Sequence, residues 1–181
     1  MASAMKAAQI GGSGGKMRRK DREVSDIKAI TDILDLCRTA SIAMADEQTP
    51  YVVPLSYGYE LKGDALILYF HCAKEGRKTD ILRRNNRVCF TVFCEGEPVQ
   101  TEIPCNCGYY FSSIIGNGTA KFIEDPDEKR YALGKMFEHQ TGKKAEFTRA
   151  QANLAAGREE MQSIWPVTAL RWKLLIRRRW P

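Results

Sequence analysis

Histidine is nearly missing from this 181-residue chain, which has two, His71 and His139. With so few, H-E-x-x-H metalloprotease chemistry is excluded, and G-x-S-x-G and the P-loop are absent as well. Acidic residues are scattered, and no two form an obvious general acid/base couple. No apolar run exceeds strand length, which argues against a membrane-spanning helix, and the N-terminus lacks the apolar core of a secretion signal. The six cysteines include C-x-C at Cys105 and Cys107 but no C-x-x-C, and no histidine pair complements them. No metal is therefore expected, and the cysteines read as reduced thiols of a cytoplasmic protein. If the protein is an enzyme, its reactive group is expected to arrive with a cofactor.

What is present is a chain able to build a core. Hydrophobic residues make up 44% and charged residues 28%, the balance of a folded domain rather than a disordered one. The formal charge is +6 and the pI near 9.0, which allows an anionic partner without choosing one. Residues 1–16 contain "GGSGG" and read as a flexible lead of the kind added at cloning; residues 17–181 read as one domain.

The patterning is mostly that of strands. "TASIAM" (39–44), "YVVPLSYGYE" (51–60), "ALILYFHC" (65–72), "RVCFTVFC" (87–94), "YYFSSIIGNGTAKFIED" (109–125) and the "SIWPVTALRWKLLIRRRW" segment carry it. Pro54 cannot donate to a ladder, so an edge or bulge is expected there. Residues 109–125 read as one strand or two, bent at Gly116 and Gly118, and "EGEPVQTEIPCNCG" reads as a loop. Helices are expected from Ser25 to Cys37, over 76–86, over 125–142 and over 147–161. Strands follow one another rather than alternating with helices, so the fold class is mainly β with appended helices, an antiparallel barrel or sheet.

One segment stands out for chemistry. "HCAKEGRK" leaves a strand at His71 and then gathers Lys74, Gly76, Arg77 and Lys78 ahead of a helix start. Glycine lets backbone approach an anion, a helix start offers N–H groups, and the cations supply charge: the parts of a phosphate site. The same residues also read as a solvated basic face. His71 reads as a hydrogen-bonded structural residue or, given its neighbours, as a group facing a ligand. His139, on the 127–140 segment, reads as a surface residue.

Four segments, "MRRKDREVSD", "YVVPLSYGYE", "LYFHCAKEGRKTDILRRNNRVCF" and "SSIIGNGTAKFIEDPDEKRYAL", in this order resemble the FMN-binding split barrels related to pyridoxamine 5'-phosphate oxidase. The nitroimidazole-resistance reductases are the most similar branch. The resemblance implies a six-stranded antiparallel split β-barrel that forms a homodimer with FMN at its interface. It implies Val53, Pro54, Leu55 and Ser56 along the flavin ring, and Lys74, Arg77 and above all Lys78 at the phosphate. It implies His71 facing the active-site cavity as the catalytic residue, and Ser112 or Ser113 contributing a hydroxyl. The implied activity is FMN-dependent oxidoreduction of a small acceptor, of nitroimidazole type, with NADH or NADPH as electron donor. The alternative is a split-barrel module that holds flavin or haem without turnover. Nucleic acid is not expected as a partner, since the basic segments lie at opposite chain ends with no aromatic platform between them.

Overall fold

The computed structural model describes residues 26–47, 49–62, 65–73, 75–148, 150–151 and, for backbone only, 163–169. Helix α1, Ile27–Leu36, starts where Asp26 caps it by accepting from the Lys28 and Ala29 N–H groups. Its stripe of Ile30, Ile33 and Leu34 is buried, as the spacing predicts. Strands β1 (Thr39–Ala45), β2 (Pro50–Lys62) and β3 (Ala65–Cys72) follow, then helix α2 (Arg77–Arg84). Strands β4 (Arg87–Val99) and β5 (Gly108–Ala120) form a long hairpin, helix α3 spans Pro126–Thr141, and β6 (Ser163–Ala169) completes the set.

All pairings are antiparallel and the six strands close in the order β1-β2-β3-β6-β5-β4. Period-two alternation sends Ala40, Ile42, Met44, Leu66, Leu68, Phe70, Val88, Phe90, Val92 and Ile114 inward. Ile33 and Leu34 of α1 and Ile81 and Leu82 of α2 join the same core. The other face of β3 is also buried, because Tyr69 packs with Ala132 and Met136 of α3. That double burial explains why "ALILYF" is apolar at every position rather than alternating.

Two expectations are corrected. The segment read as a loop after Cys94 continues β4 to Val99, because Gly108–Phe111 of β5 supplies a partner; a bulge between Glu95 and Pro98 absorbs the proline. Residues 108–120 form one continuous strand, the first of the two readings, but it stops at Ala120 rather than running on to Asp125. Gly116 serves packing: a Cβ there would lie 2.3 Å from the Phe90 ring. Most of the helix expected over 147–161, and the chain after 169, lie outside the described residues. Among the described residues no helix is long and apolar enough to cross a membrane.

Candidate functional site

β2 is used in two halves. Residues 57–62 pair with β3, and α3 covers their outer face. Residues 50–56 pair with β1 alone, so among the described residues their far edge is open. Pro54, opposite Ser41, therefore lies in a strand segment with one open edge, where a proline is tolerated. Val52, Pro54 and Ser56 are exposed on the outer face, while Val53 and Leu55 turn in against the core. The four residues expected along a ring are thus split: Pro54 and Ser56 offer side chains to the outside, and Val53 and Leu55 offer only backbone.

His71 sits where this edge opens. The β2–β3 register ends at Tyr57 opposite Phe70, one step before Ser56 and His71. His71 is half-buried; burial first, and then the charge of Lys78, push its imidazole below its ordinary value, so it is neutral near pH 7. Lys78 lies one residue into α2. Among the described residues it has no ion-pair partner.

The start of α2 is built to keep its N–H groups available. Gly76, at φ 132°, is the N-cap, a conformation that favours glycine, and no side chain caps the helix. The buried Thr79 hydroxyl, which might have capped it, donates to the Gly76 carbonyl at 2.6 Å. The first N–H groups of α2 are thus left without a side-chain cap beside the basic residues Arg77 and Lys78.

Arg77 is less free than its sequence neighbourhood suggests. Its Nε is 3.2 Å from Asp46 Oδ2, and Arg84 Nη2 is 2.9 Å from Asp46 Oδ1. The Glu47 N–H, followed by these two arginines, holds the Asp46 carboxyl below its usual range against a desolvation cost. The Arg77 guanidinium also lies over the Tyr51 ring, 4.7 Å from its centroid. Asp46 and Tyr51, neither of them a site residue expected from the sequence, both hold Arg77 beside the open edge of β2. Lys74 lies outside the described residues.

Ser112 and Ser113 are elsewhere in this protomer. They pair with Cys94 and Phe93 on β5, and β1 and β4 stand between β5 and β2. Three strand spacings amount to roughly 14 Å along the sheet. Within one protomer the fold does not bring these serines to Pro54, His71 and Lys78.

His139 is corrected from surface residue to junction. Its Nδ1 lies 2.7 Å from the Tyr57 carbonyl oxygen and its Nε2 2.8 Å from that of Leu34. Its ring stacks on Tyr57 at 4.4 Å. The Tyr57 hydroxyl donates to the Leu34 carbonyl at 2.8 Å, and Gln140 donates to the Tyr57 and Arg38 carbonyls. One turn of α3 thus fastens the end of α1 to β2. No sequence signal marks this, since all three segments are distant in the chain. Beside the junction lies a cleft of about 550 Å³, lined by Asp35, Tyr59, Lys135 and Glu138 among others. Tyr59 already donates to Asp35 at 2.6 Å, and of the residues singled out from the sequence the cleft is lined by His139 and by none of those expected at the flavin.

The sequence profile of the pyridoxamine 5'-phosphate oxidase family matches residues 26–168. No curated protein matches the chain. Among solved structures, a candidate 5-nitroimidazole antibiotic resistance protein from Bacteroides thetaiotaomicron is 29% identical, covers 82% of each chain and has a TM-score of 0.66. An FAD- and haem-binding protein from Mycobacterium smegmatis is 18% identical over 88% of this chain and 75% of its own, with a TM-score of 0.66. A flavocytochrome from Azotobacter vinelandii is 17% identical over 92% and 87%, with a TM-score of 0.61. The last two likenesses establish the fold alone.

Proposed function

The chain belongs to the pyridoxamine 5'-phosphate oxidase family, and from that membership and the outer face of β2 we propose that it is an FMN-dependent oxidoreductase acting on a small acceptor. One juxtaposition carries this reading: an unpaired strand edge beside an uncapped helix start whose lysine has no carboxylate partner among the described residues. An amphipathic ring with a dianionic tail needs both halves of that arrangement. When bound, the flavin would supply hydride or electron transfer between NADH or NADPH and the acceptor.

The chain's own groups have separable tasks. Lys78 and the first N–H groups of α2 hold the phosphate, with Arg77 contributing what Asp46 leaves of its charge. Pro54 and Ser56 form the wall on which a ring rests. Neutral His71 keeps one ring nitrogen able to donate and one able to accept, so it can orient an acceptor oxygen and pass it a proton. The 29% identity to the Bacteroides thetaiotaomicron protein favours an acceptor of nitroimidazole type.

A second copy of the chain belongs to the same reading. Val52, Phe93, Tyr109, Tyr110 and Ile115 are large hydrophobic residues left exposed, on β2 and the β4–β5 hairpin. A homodimer that covers them would also let Ser112 or Ser113 of one protomer approach the cofactor of the other. The test is an absorbance spectrum of the native protein, then acid release and a mass for the released group. Flavin bands and the mass of FMN are expected. A Soret band, or a colourless protein that ignores added FMN, would overturn the assignment.

A further inference from the structure

Two thiols distant in the chain lie near each other where the end of α1 meets β4. Cys37 is the C-cap residue of α1 and is buried; its Sγ donates to the Phe93 carbonyl at 3.4 Å, the carbonyl immediately before Cys94. Cys94 turns toward the core from β4, and its Sγ donates to the Ser112 carbonyl at 3.6 Å. The Cys37 sulfur therefore lies against the peptide that joins Phe93 to Cys94, next to the residue that carries the second thiol. Cys37 is 7% exposed, whereas Cys94 is half-buried and open to small reagents.

We propose that Cys37 and Cys94 are a reversible redox pair that closes to a disulfide when a hydroperoxide reaches Cys94. The chemistry divides the roles by exposure. The Cys94 thiolate sulfur attacks a peroxide oxygen, the O–O bond breaks, and sulfenic acid forms as hydroxide leaves and is protonated to water. The Cys37 sulfur then attacks the sulfenic sulfur, the S–O bond breaks, and the departing hydroxide takes the Cys37 proton as a second water. Two thiols are oxidised by two electrons and one peroxide is reduced. Burial, and then the neighbouring Cys94, push the Cys37 thiol up to about 11, which disfavours it as the group that attacks the peroxide first.

The closed loop would run from residue 37 to residue 94. It contains Pro54, Ser56, His71 and Lys78, so oxidation would lock the end of α1 to β4 around the whole proposed site. It would also take from the Ser112 carbonyl its thiol donor. The pair stands on the fold and not on a bound flavin.

The experiment uses the full chain with Cys105→Ser and Cys107→Ser, which removes the exposed thiols. After hydrogen peroxide, quenching and digestion without reductant, the expected result is a Cys37–Cys94 linked peptide and an intact mass lower by about 2 Da. Dithiothreitol reverses both, and adding Cys94→Ser abolishes them. The oxidised form melts at a higher temperature than the reduced form. Cys94 appearing as a sulfinic acid without linkage, a link to Cys89 or to a second chain, or no change at all would contradict the proposal.

Discussion

The two histidines mark regions of opposite character. Around His139 the polar groups are closely met: the ring nitrogens lie 2.7 and 2.8 Å from carbonyl oxygens of β2 and α1, and Tyr57 and Gln140 donate to those same carbonyls. The neighbouring Glu60 follows the same rule. Burial opposes its charge, yet Tyr131 and Tyr69, each donating at 2.5 Å, and Lys62 at 2.9 Å hold the carboxyl below its usual range. Around His71, among the described residues, the groups are left open, with an unpaired strand edge, a helix start without a side-chain cap and a Lys78 without an ion-pair partner. Saturated polar networks fix a fold, and unsatisfied ones wait for a ligand.

The comparison breaks first, and most visibly, at His139. Replacing it with alanine removes the ring's close contacts to two carbonyls and its stacking on Tyr57, an expected loss of about 2–4 kcal/mol in urea unfolding, with flavin affinity of the folded fraction unchanged. A stability loss no greater than that of a surface substitution would place the junction elsewhere. Next is Lys78→Ala, expected to weaken FMN binding roughly tenfold to a hundredfold while leaving the melting temperature where it was. Tyr57→Phe keeps the ring and loses one donor to the Leu34 carbonyl, for about 1 kcal/mol, again on the fold side alone.

The pH response sharpens the contrast at His71. Its folded value lies below the unfolded one, near 6.5, so the unfolded chain binds more protons as pH falls. This contribution is absent above about pH 6.5 and destabilises the protein progressively below it. His71→Gln should flatten that decline and alter acceptor turnover while keeping FMN. An unchanged acid limb would show that His71 is not the group responsible. The smallest effect is expected from Asp46→Asn, which frees Arg77 and Arg84: FMN binds more tightly by less than about fivefold, since exposed ion pairs contribute under about 1 kcal/mol.

The sequence made local features legible. "ALILYFHC" matched β3 to the residue, and helices expected at Ser25–Cys37 and 125–142 formed at Ile27–Leu36 and Pro126–Thr141. Long-range register was not legible. Nothing near Gly108 says that it will pair with Val99 and extend β4, and nothing near His139 says that Leu34 lies above it. The same limit applies to the site. Gly76, Arg77, Lys78 and His71 are close in the chain and came together, whereas Asp46 and Tyr51 claimed Arg77 from 31 and 26 positions away. Ser112 and Ser113 resembled site residues locally, but three strand spacings separate them from β2 in the closed barrel.

The most direct measurement is an FMN titration of the full chain and of Lys78→Ala under the same conditions, followed by flavin fluorescence. Saturable binding by the parent chain and a markedly weaker curve for the variant, at equal thermal stability, is the predicted result. Identical curves, or no binding by either, would contradict the claim that the opening between β2 and α2 holds a flavin phosphate.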